Sequence, residues 1–169
     1  MSIEQAVKQF IEENIDQVDD NEFLYLYKQI KSYAFTRCFT ETLLAAGIDP
    51  LEYMTEIPER YLYESKIQTL HIPAGITTVG RYAFARCTEL AQLSLPEGVT
   101  LIDEGAFMNC TKLERVQLPA SLRYIDAGAF QGCTALKNVT FSGTSEQWIE
   151  VVDYGSGLVD LEPITCLGG

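Results

Sequence analysis

The sequence has few residues from which a catalytic or metal site could be built. His71 is the only histidine, so a Ser–His–Asp or Cys–His arrangement would have one possible base. There is no Cys-x-x-Cys pair and no histidine cluster, which argues against a metal site. No Gly-x-Gly-x-x-Gly loop is present to hold a phosphate. We therefore expect no catalytic residue, no metal and no cofactor, and predict that the protein is not an enzyme.

Signals for a membrane or for export are also missing. No run of about 18 apolar residues occurs, so we expect no transmembrane helix and a soluble chain. The first residues lack a basic segment followed by an apolar stretch, which is the pattern of a secretory signal. The cysteine count, five, is odd, so at least one thiol is unpaired. These features favour a reducing, cytoplasmic compartment, and removal of a signal would leave a cell-surface location open.

Basic residues number 12 against 24 acidic ones. The acids concentrate at the ends, because residues 1–66 carry a net charge of −7, residues 67–141 carry none and residues 142–169 carry −5. Nucleic acids are bound by basic surfaces, so we expect no nucleic-acid ligand. Acidic ends can simply keep the protein soluble and keep its end faces from stacking into filaments. The alternative is an inhibitor that mimics nucleic acid in a basic groove of a nucleic-acid enzyme, with an acidic patch at Asp16, Asp19, Asp20 and Glu22.

The sequence does contain one motif in three copies, spaced 23 residues apart. Each copy reads Ala-Phe-x-x-Cys-Thr-x-Leu, starting at Ala83, Ala106 and Ala129. A fixed period of about 20 to 30 residues indicates a solenoid, in which each coil buries its apolar side against its neighbours. We expect equivalent side chains to form columns through the core. One such column consists of Phe84, Phe107 and Phe130.

Each repeat is expected to hold one short strand. Leu93 and Leu95 alternate with polar residues, which is the period of a strand with one buried face. Pro96 and Gly98 then turn the chain to the other side of the coil. The predicted fold is α+β, a short solenoid of about four coils with one strand per coil in a small parallel sheet. The four predicted strands are Ile67–Ile72, Leu90–Leu95, Leu113–Leu118 and Leu136–Phe141, the first in an imperfect coil that begins at Ile57.

This unit, Leu-x-x-Leu-x-Leu-Pro-x-x-Val-x-x-Ile-x-x-x-Ala-Phe-x-x-Cys, resembles the BspA-like leucine-rich repeat family. The resemblance covers about residues 57–141. Gly143-Thr144-x-x-Gln147-Trp148 and Ile164-Thr165-Cys166-x-Gly168 resemble the module that often closes such arrays, which extends it to residue 169. The resemblance implies a leucine-rich-repeat fold and a surface-displayed or host-interacting binding protein of bacterial or phage origin. Such proteins typically carry an export signal, which this sequence lacks.

Cys87, Cys110 and Cys133 share one position of the repeat. Adjacent strands lie about 5 Å apart, which would permit a disulfide by distance, but parallel side chains in a packed column disfavour one. We therefore expect buried free thiols that pack as small apolar groups. Cys38 and Cys166 lie outside this column.

Residues 1–56 do not follow the repeat and are predicted to be helical. Apolar residues from Ile3 to Val18 fall at helical intervals, and a second helix follows Asp19-Asp20-Asn21 and extends toward Gly47. Asp49-Pro50 is expected to start a short third helix. The simplest interpretation is an N-terminal helical cap on the first coil. The alternative is a homodimer through these helices, since aromatic residues are crowded here.

Residues 142–169 are expected to form a C-terminal cap. Thr144 and Gln147 fit a capping box, and Trp148 on the helix that follows is predicted to cover the last coil. The chain is thus divided into a helical cap at 1–56, repeats at 57–141 and a second cap at 142–169.

The open strand face is the surface on which a solenoid of this kind would bind a partner. Strand alternation predicts eight outward side chains: Thr69, His71, Gln92, Ser94, Arg115, Gln117, Asn138 and Thr140. Four strands about 4.8 Å apart span less than 20 Å. The face alone is therefore too small for a standard interface, which takes about 800 Å² from each partner. We therefore predict a non-enzymatic protein–protein interaction module that binds through this face together with a cap. The acidic inhibitor is the second hypothesis, and a surface adhesin without its export signal is the third.

Overall fold

The structure, a computed structural model, describes Gln9, Glu13 and residues 33–151, 155–158 and 164–168. Its helices are α1 (Tyr33–Ala45), a 3-10 helix (Pro50–Tyr53) and α2 (Ser145–Val151). Its strands are β1 (Glu56–Ile57), β2 (Thr78–Val79), β3 (Gln92–Ser94), β4 (Leu101–Ile102), β5 (Arg115–Leu118), β6 (Tyr124–Ile125), β7 (Asn138–Phe141) and β8 (Thr165–Cys166). They form two parallel sheets, sheet A in the order β1-β2-β4-β6 and sheet B in the order β3-β5-β7-β8.

The strand register confirms the predicted solenoid. In sheet B, Leu93 lies opposite Val116 and Val116 lies opposite Val139. In sheet A, Val79 lies opposite Ile102 and Ile102 opposite Ile125. Each step is one 23-residue repeat, so consecutive turns of the chain lie directly on one another.

Each of the three coils after the first contributes two strands where one was predicted. The extra strands, those of sheet A, are two residues long, and each buries only its second residue. Such a strand is too short for alternation to appear in the sequence. Conversely, the predicted strand Ile67–Ile72 does not form. The first coil is one residue shorter than the others, since Ile57 pairs with Val79 at an interval of 22 residues. The missing residue falls just before this segment, because Ser65 lies 22 residues before Cys87 whereas Ile67 lies 23 before Leu90.

The Ala-Phe turns form a third hydrogen-bonded side of the coil. The amide of Phe84 donates to the Ala106 carbonyl oxygen, and that of Phe107 to the Ala129 carbonyl oxygen, both at 2.8 Å. The amide of Phe130 continues the series by donating to the Ser156 carbonyl oxygen at 2.8 Å. These turns therefore join neighbouring coils through the backbone, as the two sheets do.

The core is organised around the predicted phenylalanine column. The ring centroids of Phe84 and Phe107 are 5.4 Å apart, and those of Phe107 and Phe130 are 5.3 Å apart. The rings are nearly parallel, with interplanar angles of 12° and 14°, and all three side chains are buried. Tyr61 meets the Phe84 ring edge-on at 6.1 Å. The column predicted from the repeat is confirmed.

The cysteine column is confirmed as a row of buried free thiols. Each Sγ donates a hydrogen bond of 3.2 Å to a carbonyl oxygen of the preceding coil. Cys87 bonds to Leu62, Cys110 to Phe84 and Cys133 to Phe107. Burial is the main cause that raises the pKa of the Cys87 thiol to about 12. Each of these carbonyl oxygens also accepts a backbone amide, so the thiol adds a second hydrogen bond between coils as well as filling space, a function the repeat pattern alone does not reveal.

Helix α1 contacts the first coil at the end of this cysteine column. Ser65 lies in the first coil where later coils have cysteine, and its buried hydroxyl donates to the Glu41 carboxylate of α1. Arg37 of α1 donates to the Tyr63 carbonyl oxygen at 3.3 Å. Phe39 and Leu43 of α1 belong to the same hydrophobic core as the coils. These contacts join α1 to the first coil, while the helical cap over residues 1–56 as a whole remains a prediction.

The start of the third predicted helix is confirmed, because the Asp49 carboxylate accepts a hydrogen bond of 3.0 Å from the Leu51 amide at the 3-10 helix. The predicted first helix lies outside the described residues except for Gln9 and Glu13. Both are helical, and the Gln9 side-chain amide donates to the Glu13 carboxylate at 2.8 Å. The proposed dimer through the N-terminal helices remains a prediction.

At the other end, the predicted capping box of α2 is confirmed. The Thr144 amide donates to the Gln147 side chain at 2.9 Å, and the Gln147 amide donates to the Thr144 hydroxyl at 3.2 Å. Trp148 is half-buried and packs on Phe141 of β7, with ring centroids 5.4 Å apart. Residues 155–158 meet the last coil separately, because the Ser156 carbonyl oxygen accepts the hydrogen bond from the Phe130 amide.

Truncation of the central ring should test the column. We expect Phe107→Ala to lower the free energy of unfolding by about 3–5 kcal/mol, because it removes the ring that both neighbours stack on and leaves a cavity. Chemical denaturation measures this change. Ile149→Ala is the control, since Ile149 is 75% exposed, and should change stability by less than about 0.5 kcal/mol. Equal effects of the two substitutions would contradict the column.

The buried thiol at Cys87 should make stability depend on alkaline pH. An unfolded thiol ionises near pH 9, whereas the folded one keeps its proton until about pH 12. The unfolded state therefore loses protons first, and this group's contribution to the free energy of unfolding falls by about 1.4 kcal/mol per pH unit across that interval. Denaturation of the wild type and Cys87→Ala between pH 8 and 11 measures this contribution as their difference. Parallel curves for the two proteins would contradict a protonated, buried thiol.

Candidate interaction surface

The surface of sheet B that faces away from the core carries the predicted outward side chains. Along β5, Arg115 and Gln117 are exposed while Val116 and Leu118 are buried, which is the alternation on which the prediction rested. Of the eight predicted residues, Thr69, His71, Gln92, Ser94, Arg115, Gln117 and Asn138 are exposed and Thr140 is half-buried. We call these eight residues the strand face. Thr69 and His71 flank sheet B rather than belonging to it, because residues 67–72 form no strand.

The strand face is ordered in rows across the coils. One row runs Gln92, Arg115, Asn138, and the next runs Ser94, Gln117, Thr140. The Ser94 hydroxyl donates to the Gln117 side-chain oxygen at 3.1 Å, a bond between adjacent coils. Strand β8 extends the second row by one residue, because Thr165 pairs with Thr140. Thr165 is not among the eight predicted outward residues. Its only signal in the sequence is its place in the end module, since a strand of two residues is too short to show alternation.

Arg115 is the charged group at the centre of this face. Three other cations of the repeats each pair with a glutamate of a neighbouring coil: Arg81 with Glu104, Arg86 with Glu64, and Lys112 with Glu89. Within the described part of the chain, Arg115 forms no ion pair and its side chain makes no hydrogen bond. An otherwise neutral, hydrogen-bonding surface therefore presents one uncompensated positive charge.

A surface depression of about 540 Å³ opens beside this arginine. One wall consists of residues 68–70 of the first coil, and the other consists of Ala91 and strand β3. Arg115 and Gln117 complete the lining from the next coil. The depression exists where the predicted strand Ile67–Ile72 is missing, so the departure from the predicted fold is also what shapes this surface.

A second depression, of about 740 Å³, lies between α1 and the first two coils. Its lining is charged on both sides: Arg37, Glu41, Glu64, Lys66, Arg86 and Thr88. Lys66 lies two residues before Gln68, which lines the first depression, so the two are neighbours along the first coil. Helix α1 thus adds polar surface next to the strand face.

The turns carry another polar cluster, which sequence analysis did not single out. The Tyr82 hydroxyl and Arg81 both bond to the Glu104 carboxylate, and the Arg60 guanidinium lies 5.6 Å from the Tyr82 ring centroid. The hydrogen bond to Glu104 raises the pKa of Tyr82, and the same bond, with help from Arg81, lowers the pKa of Glu104. The Tyr82 ring lies over Gly105, where a Cβ would come within 2.3 Å of it. Arg81 is paired with Glu104, and Arg60 is paired with Glu59 at 3.8 Å. The cluster thus joins two coils and leaves no charge uncompensated.

The acids of the repeats are similarly used within the structure. Besides the three paired glutamates, the Glu97 carboxylate accepts hydrogen bonds from the amides of Ala120 and Ser121 in the next coil. Asp103 and Asp126 each accept the amide of the residue that follows them. The predicted acidic patch at Asp16, Asp19, Asp20 and Glu22 lies outside the described residues, and its role remains a prediction.

Little in the described regions suggests catalysis or metal binding. His71 is exposed on the strand face. Across the residues that the structure describes, no three His, Cys, Asp or Glu side chains are grouped so that they could hold a metal ion. None of the helices in that part of the chain is long and apolar enough to span a bilayer.

Stacked parallel strands at a 23-residue period, with inward leucine, phenylalanine and cysteine, define a leucine-rich-repeat solenoid. Residues 55–152 match the family described as BspA type leucine rich repeat region (6 copies). The chain belongs to this family, which confirms the resemblance seen in the repeat.

Two solved structures are similar to this chain. A leucine-rich repeat protein from Bacteroides ovatus is 31% identical over 66% of this chain, with a TM-score of 0.56. A leucine rich cell surface protein from Faecalibacterium prausnitzii is 41% identical over 47% of this chain, with a TM-score of 0.45. The matched regions cover 28% and 21% of those two proteins, so this chain spans only a fraction of their length. No curated protein matches it.

Proposed function

We propose that this chain is a non-enzymatic protein–protein interaction module that binds its partner through the strand face. The observation that carries the proposal is the registered set of exposed polar side chains on sheet B, with Arg115 uncompensated at its centre. Buried side chains of the repeat hold the coils together, but these rows contribute little to that packing. Arginine is also among the residues that most often dominate binding energy at the centre of an interface.

The partner is proposed to contact α1 as well as the strand face. The four strands of sheet B span less than 20 Å at about 4.8 Å per strand. A surface of that width is too small to supply the roughly 800 Å² that a stable interface takes from each side. The charged depression beside α1 adjoins the strand face at Lys66. A partner that covers both would reach a standard interface size.

The second hypothesis, an acidic inhibitor, depends on residues outside the described ranges, and no contact in the repeats favours it. The third, a surface adhesin, is the same binding module placed at the cell surface. The description of the Faecalibacterium protein gives that location for that protein only. For this chain, cytoplasmic and cell-surface locations both remain predictions.

Reversing the central charge should strongly weaken partner capture. We expect Arg115→Glu to weaken capture of the partner from source-cell extract by about tenfold or more, because charge reversal within an interface is strongly unfavourable. Quantitative mass spectrometry of the captured proteins measures the change against the wild type.

Arg123→Glu is the matched control. Arg123 is also exposed and, like Arg115, forms no ion pair with any described residue, but it precedes β6 and lies off sheet B. Both variants should keep wild-type unfolding midpoints. A partner lost equally with both variants, or with neither, would contradict binding by the strand face.

A further inference from the structure

Sheet B has an unpaired edge between the first and second coils of the solenoid. Its order, β3-β5-β7-β8, ends at β3, although the first coil lies beyond β3 in the stack. Through the described residues, no backbone hydrogen bond joins residues 67–72 to strand β3. An edge strand presents a row of unpaired N–H and C=O groups with which another chain can pair.

The hydrogen bonds to β5 identify which groups are unpaired. The Ala91 carbonyl oxygen accepts from the Glu114 amide at 2.9 Å, and the Leu95 amide donates to the Gln117 carbonyl oxygen at 3.0 Å. Odd-numbered residues of this segment therefore turn their backbone groups toward β5. Because a strand alternates, Gln92 and Ser94 turn theirs toward the open side.

This edge lies in the 540 Å³ depression described above. Gln92 and Ser94 both belong to the lining of this depression. The amide and hydroxyl groups of Gln68 and Thr69 line one wall, opposite β3, and Arg115 lies in the lining as a cation without a carboxylate partner among the described residues. The unpaired edge of β3, the depression and the charge of Arg115 thus lie at one place.

We infer that this depression binds an extended, acidic peptide segment, whose main chain pairs with Gln92 and Ser94 at the edge of β3 and whose carboxylate pairs with Arg115. The inference rests on the proposed function, because it specifies which part of the partner the strand face holds. Strand addition to a sheet edge obtains affinity from main-chain hydrogen bonds and specificity from alternate side chains. A bidentate arginine–carboxylate pair would supply that specificity here.

A display library of random octapeptides, selected on the immobilised full chain, tests the inference. We expect enrichment of sequences that carry Asp or Glu at a fixed position among β-branched residues. Affinities of the selected peptides are then measured by fluorescence anisotropy. Selection of peptides without an acidic position, or of none at all, would overturn the inference.

Two substitutions at one position separate main-chain pairing from side-chain contact. Ser94→Pro removes the edge N–H while leaving the bonds from Ala91 and Leu95 to β5, and should weaken the selected peptides by about tenfold. Ser94→Ala keeps that N–H and should retain binding. Arg115→Gln should weaken acidic peptides by about tenfold and leave their Asn or Gln analogues unchanged. Equal affinity for all three variants would contradict the inference.

N-methylated peptides give the same answer without changing the protein. Two versions of one selected peptide carry methyl groups on alternate amides, on odd positions in one and even positions in the other. Pairing with β3 predicts that only one version loses binding, and loss by neither or both versions would contradict it. If no selected peptide shows this dependence but Arg115→Glu still weakens partner capture, the inference fails and the proposed function stands.

Discussion

The stacking of three phenylalanine rings sets the geometry on which the other contacts depend. With centroids 5.3–5.4 Å apart, the rings are separated by little more than the spacing between neighbouring strands, so ring stacking and strand pairing fit the same distance between coils. The cysteine thiols depend on that spacing, since each reaches a carbonyl oxygen of the coil before it. Where cysteine would begin the series, Ser65 instead bonds to Glu41, so the same column also holds helix α1.

The same regularity produces the proposed binding surface. Because each coil repeats the last at an interval of 23 residues, outward side chains align in rows, and inward ones fill the core. The outward row Gln92, Arg115, Asn138 differs in polarity and charge from coil to coil, whereas the buried row Leu93, Val116, Val139 stays apolar. The one irregular place, residues 67–72, leaves an edge of sheet B unpaired beside Arg115. The strongest candidate for recognition is thus found where the repeat departs from its own pattern.

The repeat made much of this structure predictable from the sequence. The stacked coils, the Phe84–Phe107–Phe130 column, the buried thiols and the exposure of the strand face all follow from equivalent positions in stacked copies. Sheet A was missed because strands such as Thr78–Val79 have one buried residue and no readable alternation. The thiol hydrogen bonds and the Tyr82–Glu104 cluster join residues 22 to 26 positions apart through turn geometry that no local pattern encodes. Partner identity is likewise not encoded in a repeat whose constant 23-residue spacing serves packing.

Native-state hydrogen exchange most directly tests the central claim that the phenylalanine column holds the stacked coils together. If it does, these coils should unfold as one unit. The amides of Phe84, Phe107 and Phe130 each donate to a carbonyl oxygen of the segment stacked above, and all three lie beside the buried column. We predict that they exchange only through global unfolding, with the same free energy as that obtained from denaturation. Exchange of these amides at the rate of exposed loop amides, or with three unrelated free energies, would contradict the account.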